Sequence, residues 1–158
     1  MDELFELMMI QQQKQELVKV LESNEYTKKF GVVLLEEDAK ELMLCRKENL
    51  RQMERVEFKE GILPKIIYTF CDSPYIYQDN YVESIARLQE IFYLYKNESL
   101  DELNDDELIQ FMKEAFEGEC QGSLEYLEET SLEGFARGIR GRTHGFFGKY
   151  NEEENYDE

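Results

Sequence analysis

An all-α domain, a compact bundle of five to six helices, is the fold class this sequence predicts. Three observations carry it. Apolar residues recur at three-to-four spacing through most of the chain. Only two prolines interrupt 158 residues. Residues that favour helix starts, Ser99, Asn104 and Ser123 among them, stand just ahead of apolar runs. Hydrophobic residues make up 42% and aromatics 13%, and a chain of this length buries roughly 70% of its unfolded surface. One helical domain over residues 1–140 is expected, followed by a flexible tail, 141–158, that is glycine-rich and then acidic.

Along the chain, Leu4, Leu7, Met8 and Gln11, then Leu17, Val18 and Leu21, mark one helix or two short ones over 3–22. Asn24 and Gly31 are turn residues, and GVVLL, short and β-branched, reads as extended. A helix near 37–53 follows, with acids in its first turn and basic residues near its end, as the helix dipole prefers. RVEF, 55–58, alternates polar with apolar and is suited to pair with 32–35 as a short two-stranded ribbon beside the helices. Pro64 fits the first turn of the short apolar helix PKIIYTFC.

The stretch FCDSPYIYQDNY, 70–81, then reads as a joint. Pro74 ends the preceding helix, Asp72 is a helix-end residue, and Asp79 is placed to cap the next run. Tyr81, Ile85, Leu88, Phe92 and Tyr95, with Val82, Ala86 and Tyr93 beside them, predict the most buried helix near 80–97, around which the others pack. Glu83 and Arg87 have the spacing of a surface ion pair. Ser99 with Glu102, and Asn104 with Glu107, have capping-box spacing; Leu108, Met112 and Phe116 share one face of the helix that follows, and Gly118 ends it. Ser123 caps the last expected helix, with Leu124, Leu127, Leu132, Phe135 and Ile139 inward.

The chemistry-bearing residues are sparse. Cys45, Cys71 and Cys120 form no metal-ligand spacing and read as reduced core thiols of a cytoplasmic protein. A thiol nucleophile at Cys71 lacks a nearby base, the one histidine being His144 in the tail. Nucleotide-binding glycine loops are absent. No catalytic, cofactor-binding or metal-ligating residue is therefore assigned, and no cofactor is expected. The formal net charge of −18, from 18 basic and 36 acidic residues, repels phosphate backbones and makes nucleic acid an unexpected partner. No apolar run approaches the ~18 residues of a membrane span.

What remains is a tyrosine cluster, Tyr75, Tyr77 and Tyr81, a candidate interaction surface because amphipathic rings suit interfaces as well as wet core edges. The leading expectation is a non-catalytic protein-interaction or regulatory module whose partner is another protein, a homo-oligomer remaining open. Two other readings are carried alongside. One is a magnesium-dependent nucleotide hydrolase using carboxylates such as Glu102 and Asp105, or Glu54 and Glu57, against which stands the ease with which such spacings arise among 36 acids. The other is an acidic surface that imitates nucleic acid.

RVEFKEGILPKIIYTFCDSPYI, DNYVESIARLQEIFYLYKNE, DDELIQFMKEAF and CQGSLEYL resemble a family of short bacterial proteins of clostridia-like anaerobes, known only as a domain of unknown function. The resemblance covers about residues 1–140. It implies a bacterial cytosolic protein and carries no activity or site residue with it.

Overall fold

Ten residues of the helix Tyr81–Glu98 are buried, and most of the other described helices pack against it. The computed structural model describes residues 3–57, 61–98 and 103–131. In order, its elements are α1 (Glu3–Glu22), α2 (Asn24–Thr27) running into a 3₁₀ turn (Lys28–Phe30), α3 (Glu36–Gln52), α4 (Leu63–Phe70), a 3₁₀ turn (Gln78–Asn80), α5 (Tyr81–Glu98), α6 (Asp105–Glu117) and α7 (Leu124–Tyr126), which continues as a π turn (Leu127–Ser131). The predicted capping box Ser99/Glu102, the inward residues Leu132, Phe135 and Ile139, His144 and the tail 141–158 lie outside the described residues.

The architecture is the predicted all-α bundle. α5 sits at its centre, packed against α3, α4, α6 and α7, while α1 lies outermost on α3 and touches α2 and α4. Tyr81, Ile85, Leu88, Phe92 and Tyr95 are all buried, as the apolar face required. Each such side chain withdrawn from water contributes about 1.5–3 kcal/mol. Phe70 of α4 meets Phe116 of α6 edge-on, ring centroids 5.7 Å apart, and Tyr75 meets Phe116 at 5.9 Å, so three segments lock through one ring.

Local chemistry sets the boundaries. Pro64 stands in the first turn of α4, and Gly31, at φ +87°, ends the turn before the extended segment. Asn104 and Glu107 form the capping box in both directions, at 2.8 and 3.1 Å. Ser123 accepts the Tyr126 N–H at 3.1 Å and starts α7. The predicted helix 37–53 is α3, one residue displaced.

Four expectations are corrected. Residues 32–35 form no ribbon with 55–57, and no strand occurs among the described residues; Phe58 is not among them. The backbone polar groups of this segment are taken up by side chains instead. Asn24 accepts the Leu34 N–H at 2.8 Å and donates to its carbonyl at 2.9 Å, and Gln78 does the same for Val33 at 2.8 and 2.9 Å. Asp79 does not cap α5; Asn80 organises that joint, accepting the Tyr77 N–H at 2.9 Å and donating to the Tyr75 carbonyl at 3.2 Å. Asp72 pairs with Lys113 of α6 at 2.8 Å rather than with a helix end. Arg87 turns away from Glu83 toward Glu90 and Glu128, tying α5 to the turn after α7.

Candidate docking surface

The residues that depart furthest from an ordinary soluble surface are in α1. Six of the eight residues from Glu3 to Ile10 are large and apolar, which leaves the helix no polar face to turn outward. Leu4 is 71% exposed, Phe5 61%, Leu7 64%, Met8 61% and Ile10 49%. The apolar side chains of the first two turns therefore face solvent. Only the later turns are anchored: Val20 is buried, Leu17 and Leu21 are half-buried, and Glu16 is bound by Arg46 of α3.

That anchor is part of a nearly dry polar cluster. Arg46 also donates through Nε to Glu57 at 3.0 Å, and the same Glu57 oxygen accepts the Tyr93 hydroxyl at 2.7 Å. Burial first, and then the Glu57 charge, push the Tyr93 phenol well above its ordinary pKa. The cluster fixes α1 and α3 at one separation and so shapes the space between them.

Between the two helices runs a groove of about 380 Å³. Ile10, Leu17, Met43 and Leu44 provide apolar lining, and Lys14, Lys40 and Lys47 stand around it. Lys40 also reaches Glu36 at 3.1 Å. The one acid in the lining, Glu16, is paired with Arg46, whose guanidinium it shares with Glu57. On a protein of net charge −18, the lining of this groove carries three lysines against one acid.

The structure separates the three tyrosines singled out from sequence. Tyr81 is buried in the core, Tyr75 is half-buried against Phe116, and Tyr77 alone is exposed, at 59%. A different aromatic group reaches the surface. Tyr26 packs on Phe30 and Tyr68 at 5.6 and 5.5 Å, with the Lys29 ammonium 4.3 Å over the Tyr26 ring. It draws on two elements far apart in sequence, so no short stretch announced it.

Two of the carboxylates considered for metal, Asp105 and Glu57, are engaged elsewhere. Asp105 pairs with Lys96 at 2.9 Å, Asp106 with Lys65 at 3.0 Å, and Glu107 closes the α6 cap. Glu57 belongs to the Arg46 cluster, and Glu102 is outside the described residues. No group of three or more metal-ligating side chains converges among the described residues. All three cysteines are free, and burial pushes the thiols of Cys45 and Cys71 above their usual pKa, which disfavours the nucleophilic thiolate. No described helix is long and apolar enough to cross a membrane.

No curated protein and no solved structure matches the chain. The model of a family of unknown function, DUF6323, matches residues 19–145, so that all of α2 to α7 falls within the match and most of α1 precedes it. With 127 of its 158 residues accounted for in this way, the chain belongs to that family.

Proposed function

We propose that this protein is a non-catalytic, cytosolic interaction module whose partner presents an acidic, apolar helix to the groove between α1 and α3. One observation carries the reading: large apolar side chains stay exposed along α1 beside a groove rimmed by Lys14, Lys40 and Lys47. Exposed apolar patches of this kind mark sites of association, and a helix laid in a groove buries its apolar side while its flanking charges set orientation. Three free thiols, two of them buried, fit a reducing compartment.

A fluorescent amphipathic peptide with leucines on one face and glutamates flanking them tests the proposal by anisotropy. The peptide is expected to bind, to weaken at least ~10-fold with Leu44→Asp, and to weaken similarly with Lys14→Glu and Lys47→Glu combined. Equal affinity for the same peptide carrying lysines in place of glutamates overturns it.

A further inference from the structure

The geometry points to a second copy of this chain as the occupant: residues 3–10 of one α1 lie in the α1/α3 groove of the other, reciprocally, in an antiparallel pair. The inference rests on the docking surface proposed above and names its ligand.

The groove asks for a helical segment that is apolar and negatively charged. Residues 3–10 of this chain answer that description, carrying Glu3 and Glu6 among Leu4, Phe5, Leu7, Met8, Met9 and Ile10, already helical and already exposed. They cannot fill their own groove. It begins at Ile10 and runs to Leu17 along the same unbroken helix, and at 1.5 Å per residue the first two turns project about 10 Å beyond it along the axis.

A second copy solves the geometry for both. Run antiparallel, with the two helices crossing near Ile10, each α1 lays its first turns over the other's groove. Glu3 and Glu6 of each then face Lys14, Lys40 and Lys47 of the other. Insert and groove are adjacent on one helix, so one two-fold operation satisfies both at once and the assembly closes as a dimer rather than growing into a filament. The antiparallel orientation also sets opposed helix dipoles side by side. Overall repulsion between two chains of charge −18 works against any contact without such local complementarity, which limits pairing to this face.

Sedimentation velocity on the full chain from ~1 to ~100 µM tests this. A dimer is expected, reduced to monomer by Leu7→Asp with Met8→Asp while the circular dichroism spectrum is kept. The sharper test uses two charge-reversed proteins, one carrying Glu3→Lys and Glu6→Lys, the other Lys14→Glu and Lys47→Glu. Each alone is expected to self-associate at least ~10-fold more weakly than the parent, and an equimolar mixture to restore a heterodimer, because each insert then meets a groove of opposite charge. A mixture that stays monomeric overturns the reciprocal arrangement. A parent that is monomeric at ~100 µM yet binds the acidic peptide overturns self-pairing alone; one that does neither overturns the docking surface as well.

Discussion

Arg46 and Glu57 meet where water hardly reaches: the guanidinium is 6% accessible, the carboxylate 16%, and the Nε–Oε1 distance is 3.0 Å. Glu16 binds the same guanidinium, and the Tyr93 hydroxyl binds the same carboxylate, so one arginine connects α1, α3, the segment before α4 and α5. Replacing Arg46 by Met leaves two carboxylates in a poorly solvated site and is expected to lower unfolding free energy by about 3–5 kcal/mol. Tyr93→Phe removes one hydrogen bond and costs about 1 kcal/mol. Urea titrations of Arg46→Met, Glu57→Met and the double variant check the coupling, the double being less damaging than the sum of the singles.

Gly61 lies against this pair. It holds a left-handed φ of +65°, and a Cβ there would come within 2.1 Å of Glu57 Oε1 and 2.6 Å of Arg46 Nη2. Gly61→Ala is expected to cost about 1–2 kcal/mol for the backbone alone, with a further loss as the pair is pushed aside. Repeating the substitution in the Arg46→Met background separates the two parts, since only the second shrinks there.

Lys113 fastens α6 to the α4–α5 joint through the Thr69 carbonyl at 2.7 Å and Asp72 at 2.8 Å, with Glu117 at 3.4 Å. Burial alone would lower its pKa, but the hydrogen bond to Asp72 and the charge of Glu117 outweigh it and hold it above the ordinary lysine value. A raised value means stabilisation that is complete below the unfolded-state pKa and lost as pH climbs through the folded one. Lys113→Met should therefore destabilise by about 1–2 kcal/mol at neutral pH, with a gap that stays constant until about pH 10.4 and narrows above it. A narrowing already evident near neutrality contradicts this.

Tyr81, Tyr93 and Tyr95 are fully buried, and burial is the first cause raising all three phenols above their ordinary pKa. The native protein retains these protons while the unfolded chain surrenders them above about pH 10. Each then subtracts about 1.4 kcal/mol of stability per pH unit. In a near-ultraviolet phenolate titration these three are expected to ionise in one cooperative step that coincides with loss of helical circular dichroism. Gradual ionisation with the helices intact would show that the core admits hydroxide.

Much of the fold was legible because burial and helix period agree: the face Tyr81, Ile85, Leu88, Phe92 and Tyr95 identified α5 as central, and the reciprocal box of Asn104 with Glu107 was visible in spacing alone. Two of the failures have a common cause. Spacing gives Asp72 and Arg87 nearby roles, whereas Asp72 is claimed by Lys113, 41 residues away, and Arg87 by Glu128, also 41 residues away. Distance along the chain hides such partners. Tyr75, Tyr77 and Tyr81 looked like one group because they are neighbours in sequence, yet a helix start turns Tyr81 into the core and leaves Tyr77 outside. For α1 the sign lies in the composition itself. Leu4, Phe5, Leu7, Met8, Met9 and Ile10 leave no polar side, a composition that one-sided packing does not explain.

The clamp on residues 33 and 34 has a further consequence. Gln78 and Asn24 each offer a primary amide that engages both the N–H and the carbonyl of one residue, as a neighbouring strand would. Deamidation of either side chain exchanges a donor for a charged acceptor, leaving a carbonyl without its proton. Chemical ageing at those two amides thus leaves the Val33 and Leu34 carbonyls without their side-chain donors and loosens this segment from α2 and from the turn before α5.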